Sequence, residues 1–267
     1  MKKVLIICAL IMNTWADQPI MNMMPRWSGG YGFQVIEEFR HERDLLLKDD
    51  TVGKGLSENV HILHIEGVYT WERWLRLTAK LPYTLYAERE IFNSQGAVEK
   101  QTDRGIGDLT LALPLKKYFN LNGRSGSWTL APQLRIPLAE QDEYSVADGL
   151  WATGLYLGYE TETAKWFIST GTSLWAFEEE KPLEVGLNLD LGRNIFAFDS
   201  SGQILWETDL QWSDDHSYLL KAGIAFYWKF TDTIHSRIEW KHDFLDYTTA
   251  LDHGNGDTIK CGIGFVY

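Results

Sequence analysis

Apolar and polar residues alternate with a period of two along most of the chain. The most regular stretch is 183–191, in which five aliphatic residues alternate with Glu184, Gly186, Asn188 and Asp190. Successive side chains of a β-strand point to opposite faces, so this period is typical of a strand with one apolar face. We count twelve such stretches, which predict strands at 31–39, 63–69, 75–81, 109–115, 128–136, 151–159, 166–174, 183–191, 204–212, 220–228, 234–240 and 259–267.

The connections between these stretches differ in length in a regular way. Counted from the first stretch, odd connections are long, as at 45–59, 87–105, 138–148 and 245–256, whereas most even ones are short, as at 71–73, 161–164 and 230–233. Outer-membrane barrels combine long extracellular loops with short periplasmic turns. The sequence therefore predicts an all-β fold, a single transmembrane antiparallel up-and-down β-barrel of about 12 strands. In such a barrel the apolar face contacts lipid and the polar face lines the interior.

Three features fit this scheme less well. The even connections 120–127 and 193–202 are longer than the periplasmic turns of a barrel should be. Glu37 falls at an apolar position of the first stretch. We attribute it to a β-bulge, or to the strand leaving the membrane at that point.

The aromatic residues favour a membrane barrel over a soluble β-sandwich, which would also alternate. The chain contains 12 Trp, 12 Tyr and 12 Phe. Trp74, Trp128 and Trp166 fall at predicted periplasmic strand ends, and Trp151 and Trp175 fall near predicted outer ends. Indole and phenol rings prefer the headgroup region of a membrane, so this placement indicates two interfaces.

The N-terminal residues are typical of an export signal. Lys2 and Lys3 precede an apolar run at 4–12, which is too short to span a membrane, and small residues before Asp17 form a cleavage site. We therefore predict a signal peptide at 1–16, a periplasmic segment at 17–28 that could enter the lumen, and the barrel at 29–267. This organisation predicts the outer membrane of a Gram-negative bacterium, with both termini in the periplasm.

Charge and cysteine content limit the partners of the chain. The net charge is −12, and removal of the two signal lysines would make it more negative. Nucleic-acid binding depends on basic groups that neutralise phosphates, so nucleic acid is not expected as a partner. Cleavage would leave Cys261 as the one cysteine, and an intramolecular disulfide is then not expected. The expected partners are outer-membrane lipid, a small-molecule solute and the barrel-assembly machinery, contacted through the C-terminal strand.

Charged and polar side chains on the inward face are the candidate functional residues. Charges of both signs occur there, and a barrel of twelve strands lies between filled eight-stranded barrels and open barrels of 16–18 strands. We therefore expect a narrow, partly occluded passage. Its predicted pore-lining residues are His64, Glu66, Arg76, Lys80, Asp108, Arg135, Glu184, Asp190, Glu207, Asp209, Lys221, Arg237, Glu239 and Lys241.

Two short motifs resemble a known family. Gly105-Ile106-Gly107-Asp108-Leu109-Thr110-Leu111, followed by Tyr118, resembles a glycine-aspartate strand motif of the outer-membrane transporter-like proteins named for the meta-pathway of phenol degradation. The opening Trp27-Ser28-Gly29-Gly30-Tyr31-Gly32 is similar to the start of such barrels. The resemblance implies uptake of small, often aromatic or apolar, molecules, and it provides no enzymatic residues to carry over.

Enzymatic barrels are the main alternative. A Ser-His pair on one strand needs even spacing to share a face, but His235 and Ser236 are adjacent. Asp214-Asp215-His216 and Asp252-His253 lie in predicted outer loops, where barrel proteases carry acid-base groups, although the polar composition of loops also explains them.

Metal and cofactor chemistry has little support in the sequence. His61 and His64 should face opposite sides of a strand, which makes a poor metal pair. We therefore predict no catalytic residues, no metal and no cofactor, and a channel or transporter for the passive passage of small solutes. An outer-membrane enzyme of lipase or protease type and a structural or adhesive barrel are the alternatives.

Overall fold

The computed structural model describes residues 28–48, 50–121, 123–139, 145–178, 182–197 and 200–267. The predicted signal peptide at 1–16 lies outside these residues, as does all of the predicted segment 17–28 except Ser28. No described residue belongs to a helix long and apolar enough to cross a membrane. The strands are β1 (Tyr31–Lys48), β2 (Asp50–Glu72), β3 (Leu75–Phe92), β4 (Val98–Ile106), β5 (Leu109–Ala112), β6 (Leu115–Leu121), β7 (Arg124–Ile136), β8 (Ala152–Glu162), β9 (Trp166–Phe177), β10 (Glu184–Ala197), β11 (Ser200–Ser213), β12 (Tyr218–Lys229), β13 (Ile234–Gly254) and β14 (Asp257–Val266).

The strands form one closed antiparallel ring. β1 pairs with β2 on one side and with the last strand, β14, on the other, from Gly32↔Val266 to His41↔Asp257. β4, β5 and β6 follow one another along β3 and together occupy one strand position, so the ring has 12 positions. The predicted fold class, an antiparallel barrel of about 12 strands, is confirmed. Closure pairs the first strand with the last and leaves neither with an open edge, as hydrocarbon surroundings require.

The interruption of the fourth strand position follows from the local sequence. Gly107 and Asp108 separate β4 from β5, and Leu113 and Pro114 separate β5 from β6. Proline has no backbone N–H to donate to a neighbouring strand. Isolated hydrogen bonds replace the ladder here, since the Leu113 N–H donates to the Pro132 carbonyl over 3.0 Å. The fourth strand position of the ring is therefore built from three short strands, β4, β5 and β6.

One end of the barrel, the turn rim, carries the short turns after β2, β6, β8, β10 and β12. Tyr31 and Tyr267 lie at the same rim, and their rings stack with centroids 5.5 Å apart. The connections predicted at 120–127 and 193–202 are short as well, because β6 extends to Leu121 and β10 extends to Ala197. The first and last strands therefore begin and end at the rim that carries the turns.

At the opposite end, the extended rim, three predicted loops are wrong. The regions 45–59, 87–105 and 245–256 are mostly strand, because β1 and β2 pair up to Leu47↔Asp50, β3 and β4 pair up to Phe92↔Val98, and β13 continues to Gly254. Backbone pairing does not depend on an apolar face. The strands therefore continue beyond the region in which apolar and polar side chains alternate.

The outward face of the barrel is apolar. On β10, Leu187, Leu189 and Leu191 are 49%, 41% and 45% exposed, whereas Asp190 between them is 8% exposed. Exposed apolar side chains continue this belt around the barrel: Phe33, Ile65, Leu157, Ile168, Ile204, Ile224, Ile238 and Ile263. Such a belt suits the hydrocarbon region of a membrane.

Two side chains differ from their predicted environment. Trp175 lies near the strand end at the extended rim, as predicted, but its ring points inward and not to a membrane interface, and the Arg135 guanidinium lies 5.0 Å from its centroid. Glu37 points outward from a regular ladder and accepts a hydrogen bond from His61 Nε2 over 2.7 Å. Phe39 lies further along the same outward face, so neither a bulge nor the end of the apolar belt accounts for Glu37.

Candidate functional site: the barrel lumen

The predicted pore-lining residues all occupy inward positions of the wall. Those on strands alternate with the exposed apolar residues, and Asp108 lies in the break between β4 and β5. Their exposure differs widely, because Arg76 and Glu239 are 0% and 1% exposed whereas the Lys80 side chain is 45% exposed. Some of these side chains thus fill the lumen, and others face open space within it.

A network of opposite charges links the inward faces of β11 and β13. The Lys241 ammonium lies 3.1 Å from Glu207 and 2.6 Å from Asp209. It also lies 3.2 Å from Glu239, which contacts the Arg237 guanidinium. β12 lies between β11 and β13, so these side chains reach across its inner surface. The network therefore belongs to the interior of the barrel.

A second group of charges lies on β1, β2, β3 and β14. Glu38 accepts a hydrogen bond from His64 Nε2 over 2.9 Å and lies 3.2 Å from the Lys260 ammonium. Glu66 lies 3.7 Å from the Lys80 ammonium. Acids and bases thus neutralise one another locally on this part of the wall.

Side chains fill much of the lumen near the turn rim. Arg76 is fully buried and donates to the Tyr118 hydroxyl. Phe167 and Leu205 are 1% and 0% exposed and pack together in a small apolar cluster, and Gln203 beside them is also fully buried. Because buried groups of this size occupy the cross-section, the passage is narrow at this end.

A segment between β7 and β8, the lumen segment (residues 145–150), lies against the inner wall towards the extended rim. The Asp108 carboxylate accepts a hydrogen bond from the Gly149 N–H over 2.9 Å. Arg135 contacts Asp148, and Val146 packs on a buried apolar cluster of β2 and β3. Two predicted pore-lining residues, Asp108 and Arg135, therefore hold this segment in place.

Two cavities lie between these two ends. The first has a volume of about 280 Å³, and its polar lining includes Gln34, Glu66, Lys80, Tyr227 and Arg237. The second has a volume of about 370 Å³, and its polar lining includes Lys116, Tyr156, Glu160, Asn188 and Asp190. Both cavities contact Thr78, Ala112 and Gln133, so they are adjacent chambers of one lumen.

The predicted pore-lining set omits six of these polar lining residues. Gln34, Tyr156, Asn188 and Tyr227 have inward parity but are uncharged, and the predicted set contains only His and charged residues. Lys116 and Glu160, whose charged atoms lie 2.9 Å apart, each follow the last residue of a predicted strand. Parity extended by one residue would have found both.

The histidines considered for catalysis or metal binding have other contacts. His61 and His64 point outward and inward, as their spacing predicts. His216 lies in the turn after β11 with φ at 75°, and His253 Nε2 donates to the Glu90 carbonyl over 2.9 Å. Across the described ranges, no three His, Cys, Asp or Glu side chains are grouped as metal ligands would be.

Comparison with known proteins shows the fold. No family model and no curated protein matches the chain. The COG4313 outer membrane channel from Pseudomonas putida F1 is similar with a TM-score of 0.68 and 15% identity, over 90% of this chain and 96% of that chain. The beta domain of the Bordetella autotransporter BrkA is similar with a TM-score of 0.50 and 14% identity, over 90% of this chain and 100% of that chain. The chain thus shares the fold of outer-membrane barrels.

Proposed function

We propose that the protein is an outer-membrane channel for the passive passage of small solutes. The observation that carries the proposal is the pair of adjacent cavities with charged linings, enclosed between the packed turn rim and the lumen segment. Charges in a narrow passage with low-dielectric walls act strongly on a solute that passes close to them. In this proposal the charged residues of the inner wall set the field of the passage, and the protein is not an enzyme.

We also propose an orientation, with the turn rim and both termini in the periplasm and the extended rim outside. The turns of outer-membrane barrels are short on the periplasmic side, and the extended hairpins of β1–β2 and β3–β4 correspond to the longer extracellular side. The C-terminal residues Phe265, Val266 and Tyr267 would then be available to the assembly machinery from the periplasm.

Small apolar or aromatic compounds are the proposed solutes. A volume of about 370 Å³ lies within the range of small-molecule sites. Tyr156 and Phe167 line that cavity, and Tyr227 lines its neighbour, so aromatic surfaces accompany the charged groups. The resemblance of the glycine-aspartate motif to the phenol meta-pathway proteins also supports this solute class.

Planar-bilayer recording tests the proposal. Purified wild-type protein should give discrete conductance steps. Asp148→Asn should weaken the contact with Arg135 that holds the lumen segment, so its steps should be larger. The matched control is Asp50→Asn, a carboxylate at the exposed tip of the β1–β2 hairpin, which should conduct as the wild type does.

The results can contradict the proposal in two ways. An absence of steps from folded wild-type and variant protein would mean that the lumen does not conduct. Equal step sizes for wild type and Asp148→Asn would mean that the lumen segment does not restrict the passage.

A further inference from the structure

A groove on the outer surface of the barrel is distinct from the lumen. Its volume is about 570 Å³, and it crosses the outward faces of β6 to β10. Four interstrand steps of about 4.8 Å make it roughly 19 Å long. Trp74, Trp128, Leu157 and Leu187, which line it, are 40–60% exposed and belong to the apolar belt. The groove therefore faces the hydrocarbon of the membrane.

The floor of the groove is low because β9 carries short outward side chains. Thr170 and Thr172 lie between the larger outward residues Leu157 and Leu187 of the neighbouring strands. The Thr170 hydroxyl donates to the Asn188 carbonyl over 2.9 Å, so it offers no free hydroxyl hydrogen to a ligand. An apolar chain that covers Thr170 therefore leaves no hydroxyl hydrogen unsatisfied at that position.

Lys117 stands at one end of the groove, whereas the ammonium of the other lining lysine, Lys116, pairs with Glu160 in the lumen over 2.9 Å. Lys117 is exposed, lies directly across from Trp128 in the β6–β7 ladder, and forms no ion pair with any residue that the structure describes. Trp74, Trp128 and Tyr159 surround this end, as aromatic residues do at the headgroup level of a membrane. A lysine at this level can extend its ammonium to the interface while its methylene groups stay on apolar surface.

We propose that this groove binds one anionic phospholipid of the leaflet next to the turn rim. The phosphate contacts the Lys117 ammonium, and one acyl chain lies over Thr170 and Thr172 towards Leu187. The lining carries no acidic side chain, so its charge is complementary to an anionic headgroup. The site depends on membrane insertion of the barrel and not on conductance through the lumen.

Lipid competition followed by native mass spectrometry tests this site. The full-length mature barrel is reconstituted with equal amounts of phosphatidylglycerol and phosphatidylethanolamine, and the lipid retained after detergent extraction is counted. Retained phosphatidylglycerol should exceed phosphatidylethanolamine about fivefold, the ratio expected for one lysine at an anionic lipid surface. Lys117→Gln should lose this preference, and the control Lys165→Gln, an exposed cation in the turn after β8, should keep it.

A second variant tests the groove itself. Thr172→Trp should fill the floor and reduce retention of both lipids, while a shift in gel mobility on boiling shows that each variant is folded. Equal retention of the two lipids by the wild type would overturn the proposal, since it would indicate ordinary annular lipid. An unchanged preference in Lys117→Gln would overturn it as well, and so would unchanged retention in Thr172→Trp.

Discussion

Glu239 illustrates how the lumen keeps ionised groups away from bulk water. Its side chain is 1% exposed, and its carboxylate contacts the Arg237 guanidinium and lies 3.2 Å from the Lys241 ammonium. A buried charge is costly unless opposite charges and hydrogen bonds compensate it. Loss of one member of such a group leaves the remaining charges uncompensated.

Glu239→Ala should therefore destabilise the barrel by about 3–5 kcal/mol. The measurement is the free energy of unfolding by denaturant in lipid vesicles. Glu88→Ala is the control, because Glu88 contacts Lys100 over 2.8 Å on the outer side of the extended rim, where water screens the pair. A similar loss of stability in both variants would show that the Glu239 group is not desolvated.

At the scale of single residues, the sequence predicted which face of the barrel wall a side chain occupies. It did not predict which residues that side chain contacts. Period-two parity was sufficient to direct His64 inward and His61 outward. Parity carries no information on which strands face each other across the lumen or which side chains fill it. The full burial of Arg76 against Tyr118, and the contact of Arg135 with the Trp175 ring, depend on which strands the closed ring brings together.

At the scale of one strand, β10 offers the sharpest test of its two faces. Leu189 points into the apolar belt midway along the strand, and Asn188 lines the second cavity. Leu189→Arg should lower the free energy of unfolding by about 2–4 kcal/mol, because it places a charge in hydrocarbon. Asn188→Arg should cost much less, and equal losses in vesicle unfolding experiments would contradict the assignment of faces.

Strand existence was predictable, but strand length was not. Hydrophobic alternation found every position of the ring, because lipid imposes an apolar face wherever a strand crosses the membrane. Beyond the membrane that constraint ends, and β1, β2, β3 and β13 continue as paired strands with mixed composition. The fourth position was found only in part, since β4 lies on the far side of the Gly107-Asp108 break.

The mouth at the extended rim should respond to pH. Burial, followed by the charges of Asp243 and Asp252, raises the pKa of Asp246 to about 6. Burial also raises the pKa of Asp252. A carboxyl with a higher pKa in the folded state binds its proton more tightly there, so stability falls as pH rises from about 4 to the folded pKa.

Protonation of the Asp246 and Asp252 carboxyls should thus raise the unfolding temperature near pH 4 relative to that near pH 7. Asp246→Asn removes one ionisation, so it should reduce the difference between the two pH values, whereas Asp50→Asn should leave it unchanged. The same difference in wild type and Asp246→Asn would show that Asp246 is ionised without penalty.

For the whole molecule, closure of the ring predicts resistance to detergent. The ladder between β1 and β14 closes the ring, so detergent finds no open first or last strand at which to begin unfolding. Unheated protein should migrate differently from boiled protein in a detergent gel. Identical migration of the two samples would be incompatible with a closed barrel.

The pairing of β1 with β14 also determines the order in which the chain can fold. Neighbouring hairpins are local in sequence, but the contact of Phe33 with Phe265, 5.0 Å between ring centroids, joins the two ends of the barrel. Contacts between such distant residues close large loops and slow folding. The ring therefore closes last, and until β14 is in place the free edges of β1 and β13 can pair with another chain.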